Sequence, residues 1–95
     1  MRLHDLDETE WRLIQDLIPK ASWSREARAR TTRACINGIL WRMRTGRPWN
    51  RIPREYGAHS TIWQRFIEWR DTGLWQQMTT LLAQVRSAEV SEGDR

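Results

Sequence analysis

The chain has 95 residues with 16 basic and 12 acidic side chains, a net charge of +4, and a composition that is 39% hydrophobic and 29% charged. A chain of that length supports one hydrophobic core, and its 5 glycines and 3 prolines exclude collagen-like and low-complexity architectures. No apolar run exceeds three residues, far below the roughly 20 that a membrane-spanning helix requires. The acids Asp5, Asp7, Glu8 and Glu10 make the start unlike an export signal or a transit peptide.

Asp7 and Glu10 stand at capping-box spacing and open a helix whose Trp11, Ile14 and Ile18 share a face, ending at Pro19. Residues 20–25 read as a loop in which Trp23 folds back onto the core, the other reading being a partner contact. No proline interrupts the stretch from Glu26 to Thr45, where Ala27, Thr31, Ala34, Gly38, Trp41 and Thr45 recur at spacings of three or four, which predicts a long second helix. Gly38 costs that helix up to about 1 kcal/mol in propensity, a loss explained by another helix passing close to it. Gly46 supplies a left-handed stop.

Pro48–Ile52 reads as one short helical turn with Trp49 and Ile52 pointing the same way. Gly57 then turns the chain, and Ser60 is expected to cap a third helix with Ile62, Phe66 and Trp69 on one face, a stripe that Trp63 and Ile67 widen. Asp71-Thr72-Gly73 ends it. A last helix is built on Leu74, Met78, Leu81 and Val85, with Trp75 and Leu82 beside them. Residues 87–95 lose the period and read as a flexible tail, and no stretch alternates as a strand does. The expected fold is all-α: a small helical domain over residues 1–86 with a helix-turn-helix-like core and an amphipathic C-terminal helix.

The positive charge lies in the middle of the chain. Residues 25–70 hold eleven arginines against Glu26, Glu55 and Glu68, and 15 of the 16 basic side chains are Arg, which suits bidentate contacts to phosphate or guanine. Long helix, short helix, glycine turn, helix is the order of a helix-turn-helix over residues 33–70. In that arrangement Arg47, Arg51 and Arg54 flank the short helix where a DNA backbone would pass, and the next helix offers Ser60, Thr61, Gln64 and Arg65, with His59 just before it and Arg70 at its end. Gln64 suits adenine and Arg65 guanine, while Ser60, Thr61 and the helix start suit phosphate. An ordinary charged face on a plain helical bundle would carry the same residues. The seven tryptophans read mainly as core, with stacking platforms for single-stranded nucleic acid as the other reading.

Catalytic groups are not suggested. Cys35 sits mid-helix with no histidine at motif spacing, Ser60 lacks the sharp elbow of a nucleophile, and the glycines form no phosphate loop. A single cysteine, with His4 and His59 far apart, predicts no disulfide, metal or cofactor.

The residues also resemble a family, the N-terminal region of insertion-element transposases of the IS5 group. The matching stretches are Leu6-Asp7 with Trp11, Ile14 and Leu17-Ile18-Pro19, then Asn37-Gly38-Ile39-Leu40-Trp41, Arg44-Thr45-Gly46-Arg47-Pro48-Trp49 and Ile52-Pro53. Ser60-Thr61-Ile62, Arg65-Phe66, Trp69 and Gly73-Leu74-Trp75 continue in the same order, so the resemblance covers about residues 3–82. It departs between Pro19 and Arg33, where Trp23 and Ala27–Ala29 replace a Gly-Arg-Pro-like basic stretch. The resemblance implies a helical DNA-binding region that recognises element ends, ahead of an Asp-Asp-Glu nuclease domain that binds divalent metal. The sequence ends at Arg95, before such a domain, so no catalytic role carries over to these residues. Three readings follow: one product of an element split over two frames, a stand-alone regulator, or a remnant.

The expected partner is therefore double-stranded DNA, in a cytoplasmic, nucleoid-associated setting, with a separately encoded transposase catalytic subunit as a further candidate. Homodimerisation would run through Leu74, Met78, Leu81 and Val85. The alternative is a protein-interaction adaptor that uses the same helix and exposed tryptophans.

Overall fold

In the computed structural model, residues 5–18 and 26–93 are described. Pro19, the 20–25 loop and Trp23 lie outside them. Four α-helices are present among these residues, α1 (Glu8–Gln15), α2 (Glu26–Thr45), α3 (His59–Thr72) and α4 (Leu74–Gly93), and no strand. The capping box forms as the spacing predicts. The Glu10 N–H donates to Asp7 Oδ1 at 2.8 Å, and the Asp7 N–H donates to Glu10 Oε1 at 3.0 Å.

The core is built where the periods of α1 and α3 place it, but in α2 the buried face is Cys35, Ile36, Ile39 and Leu40. It is not the stripe through Thr31, Ala34, Gly38, Trp41 and Thr45, of which only Gly38 is buried and Thr31 and Thr45 are exposed. Trp11 and Ile14 of α1 and Ile18 just beyond it meet Ile36, Ile39 and Leu40 of α2, Ile62 and Trp69 of α3, and Met78 and Leu82 of α4. At roughly 1.5–3 kcal/mol per large buried apolar side chain, this cluster outweighs the modest helix propensities around it. Leu74 and Met78 belong to this same core, so the structure removes them from the surface that a second copy would meet. Leu81 and Val85 stay half-buried on the flank of α4.

Gly38 is needed for the reason expected. A Cβ there would lie 3.0 Å from Ile62 Cδ1 and 3.1 Å from Tyr56 Cβ, so α3 and the segment before it sit directly on α2. Gly46 and Gly73 take φ of +70° and +83° and end α2 and α3, with the Gly73 N–H donating to the Arg70 carbonyl at 3.1 Å.

Further features differ from the sequence reading. The short helix is a pair of 3-10 turns, Trp49–Arg51 and Arg54–Tyr56, because Pro53 cannot donate the hydrogen bond that would join them. Ser60 is not the cap of α3: the helix already starts at His59, the N-cap position is Ala58, and no side chain caps it. Trp63 lies outside the core stripe and is 46% exposed, since Ile62, Phe66 and Trp69 face inward and a neighbour of Ile62 is turned about 100° away. The α4 backbone also continues as helix to Gly93, past residue 87 where the apolar period is lost.

Candidate nucleic-acid interface

The connection between α2 and α3 is pinned by aromatic packing. Trp49 of the first 3-10 turn stacks at a tilt on Phe66 of α3 with 5.1 Å between ring centroids, and Phe66 meets Trp75 edge-on at 5.6 Å. The Arg42 guanidinium lies 4.5 Å from the Trp49 ring centroid, and its buried Nε has no hydrogen-bond acceptor among the described residues. These contacts hold the first 3-10 turn against α3, while the second packs on α2 through Tyr56, and together they fix what the connection presents to solvent.

That surface contains an open cleft of about 570 Å³ lined by Asn50, Ile52, Arg54, Gly57, Ala58, His59 and Ser60. Gly57, at φ +120°, turns the chain into the start of α3. With no side chain capping α3, its first-turn N–H groups retain the positive end of the helix dipole at the cleft. A second cleft of about 420 Å³ lies on the other side of Arg54, with Arg30, Thr31 and Ala34 of α2 on its far wall.

The arginines divide into two sets. Arg33 donates to Glu8 Oε2 at 2.9 Å and to the Leu6 carbonyl at 3.0 Å, Arg44 lies 3.8 Å from Asp5, and Asn37 accepts the Leu6 N–H at 2.8 Å. This first set straps the segment before α1 onto α2. Tyr56 donates its hydroxyl to Asp5 at 3.2 Å, and burial together with the Asp5 carboxylate pushes that phenol above its ordinary range. Arg30, Arg47, Arg51 and Arg54 are exposed and make no ion pair among the described residues.

The predicted site residues therefore separate. Arg54, His59 and Ser60 share the first cleft, and exposed Arg51 lies in the turn that carries Asn50 to it. Arg47, Thr61 and Gln64 are also exposed. Arg65 is half-buried on the flank of α3, near enough to Cys35 for its charge to act on the thiol. Arg70 is exposed at the far end of α3 and donates to its neighbour Asp71 at 3.2 Å, which offsets its charge locally.

Sequence reasoning missed the cleft position of Arg30, which only the packing of the second 3-10 turn reveals. It also missed the ion pair between Glu10 and Arg86, each 1% exposed, in which Arg86 donates from Nε to Glu10 Oε2 at 2.6 Å and from Nη2 to Oε1 at 3.1 Å. A signal was available: Glu10 stands four residues before buried Ile14 and Arg86 four after buried Leu82, so both occupy core registers.

Cys35 is buried, and burial pushes its thiol up to about 12, the opposite of nucleophile activation. Among the described residues no group of three or more His, Cys, Asp or Glu side chains could hold a metal ion, and no helix is long and apolar enough to cross a membrane.

Fold and surface thus define an all-helical small domain with an arginine-rich face around one uncapped helix start. Residues 6–79 match the family described as "Putative transposase of IS4/5 family (DUF4096)", and the chain belongs to that family. It is 34% identical over 91 residues to the "Insertion element IS402 uncharacterized 16.2 kDa protein" of Burkholderia cepacia, covering 88% of this chain and 62% of that one. It is also 23% identical over 84 residues to "Uncharacterized protein y4sN" of Sinorhizobium fredii (strain NBRC 101917 / NGR234), covering 88% of this chain and 67% of that one. The chain thus spans about two thirds of the length of these relatives. No solved structure matches it.

Proposed function

We propose that the chain binds double-stranded DNA through the two 3-10 turns and the N-terminal half of α3, as the end-binding part of an insertion-element transposase. The observation that carries this reading is the cleft at the start of α3, where Arg54, His59 and Ser60 meet beside exposed Arg51. Free guanidinium groups and an uncapped helix start suit phosphate, and the exposed Thr61 and Gln64 beyond them suit base edges. Acids are confined to the other half of the helix, at Glu68 and Asp71, so the helix meets DNA with its N-terminal end. These residues act by binding alone, and strand cleavage would come from a separate nuclease segment or chain.

Family membership and the insertion-element relative favour this over a stand-alone regulator. The adaptor alternative loses much of its apolar surface, because Leu74 and Met78 lie in the core. Two copies would pair through the outer face of α4. Residues 72–85 carry no charge, so like-charged chains repel least there. A shallow groove of about 590 Å³ runs along this face, lined by Leu17, Gly73, Gln76, Gln77, Thr80, Leu81 and Gln84.

The test is a titration of a labelled mixed-sequence duplex at several salt concentrations. Arg51→Ala and Arg54→Ala should each weaken binding to all sequences and lower the salt slope by about one ion. Gln64→Ala should change base preference at one position by roughly 1–3 kcal/mol. Absence of salt-sensitive binding by the unaltered protein would refute the proposal.

A further inference from the structure

Trp63 differs from every other tryptophan among the described residues. Trp11, Trp69 and Trp75 are less than a tenth exposed and Trp41 and Trp49 pack against the core, whereas Trp63 is 46% exposed. Single exposed apolar side chains are common, and Leu13 and Met43 are two here, at 41% and 42%. What sets Trp63 apart is its address. It lies one turn after His59 and three residues after Ser60, both in the wall of the arginine cleft, and one turn before half-buried Ile67. No acid occurs in α3 before Glu68.

A flat apolar ring exposed one turn along α3 from the wall of a cleft that also holds the free Arg54 guanidinium fits a ligand that is anionic at its edges and apolar within. Double-stranded DNA has that character in the major groove, where the phosphates flank the groove and the C5 methyl of thymine is the apolar group offered by the bases. We infer that Trp63 is a DNA-contact residue whose indole packs on thymine methyl groups in the major groove. This rests on the proposed DNA-binding role of the same face and gives it a chemical preference, for methyl-bearing pyrimidines.

The experiment compares a labelled mixed-sequence duplex with the same duplex in which every thymine is replaced by deoxyuridine, which removes the methyl groups and preserves base pairing. The unaltered protein, Trp63→Ala and Trp63→Phe are titrated against both, and their thermal unfolding is measured. The unaltered protein should lose about fourfold in affinity on the deoxyuridine duplex, the value of one buried methyl group. Trp63→Ala should bind the thymine duplex about tenfold more weakly, show no further loss on deoxyuridine, and keep its Tm within about 4 °C. Trp63→Phe should fall between them.

Equal binding by Trp63→Ala and the unaltered protein overturns the assignment of Trp63. So does a thymine preference that survives in Trp63→Ala, or a loss of binding matched by a large fall in Tm. Failure of the unaltered protein to bind either duplex at low salt instead overturns the DNA reading as a whole, so the two failures are distinguishable.

Discussion

The ion pair between Glu10 and Arg86 joins α1 to α4 across 76 positions of sequence, and both side chains are 1% exposed. Substituting Glu10→Met removes the carboxylate facing a buried guanidinium and also one half of the α1 capping box. Loss of one partner of a buried pair costs about 3–5 kcal/mol, which is a large share of the roughly 5–15 kcal/mol that holds a domain folded. Tm should fall by more than about 10 °C. Arg86→Met should be comparably damaging, because it leaves the Glu10 carboxylate desolvated with only the Asp7 N–H and its other local contacts. The double substitution removes both charges together and places apolar groups of similar size in the same space. It should recover most of the loss, ending within about 2 kcal/mol of the unaltered protein. Urea unfolding of the four proteins gives the coupling energy directly. If each single substitution costs less than about 1 kcal/mol and the two effects add, the pair is solvated and the reasoning fails.

Gly38→Ala should lower stability by about 1 kcal/mol despite the gain in helix propensity: the new methyl meets Tyr56 Cβ at 3.1 Å, an atom tied to its backbone. Chemical denaturation would check it, and a stabilised variant would show that α2 and α3 can separate there. The Cys35 thiol should resist alkylation in the folded protein and react on unfolding. Its folded value of about 12 lies above the ordinary 9.0, so its share of stability is complete below about pH 9 and is lost as the pH rises towards 12. A rapid native-state reaction would contradict its burial. Sedimentation should give a dimer mass for the unaltered protein and a monomer mass for Leu81→Asp, whereas a monomer in both cases would refute pairing through α4.

The helices were legible because their signals are local. Asp7 with Glu10 marked a start, Gly46 and Gly73 marked ends, and the periods through Ile14, Ile62 and Met78 named inward faces, whereas the stripe through Thr31, Gly38 and Thr45 of α2 missed the buried Cys35, Ile36, Ile39 and Leu40. Even the cost of Gly38 pointed correctly to a close neighbour. The roles of the arginines were not legible, because a guanidinium's role depends on which acid the fold brings to it. Arg33 and Arg44 find Glu8 and Asp5, whereas Arg30 finds none among the described residues and joins a cleft. Ser60 and Trp63 were misread for a related reason. The chain enters α3 one residue earlier than its best capping side chain suggests, since Gly57 and Ala58 already set the turn. Trp63 follows Ile62 in sequence but not in facing.

The two arginine sets have separate consequences for function. Arg33 and Arg44 hold the segment before α1 against α2, Trp49 and Phe66 hold the first 3-10 turn against α3, and Tyr56 seats the second on α2. The exposed set therefore rides on a support whose shape depends little on its own charges. Its guanidinium groups can exchange a hydration shell for phosphate without loosening the fold, a separation that suits reversible, salt-sensitive binding. The same support explains why two 3-10 turns suffice where one short helix is read from the sequence. With Trp49 seated between Arg42 and Phe66, the turns need few backbone hydrogen bonds of their own to keep Arg51 and Arg54 at the start of α3.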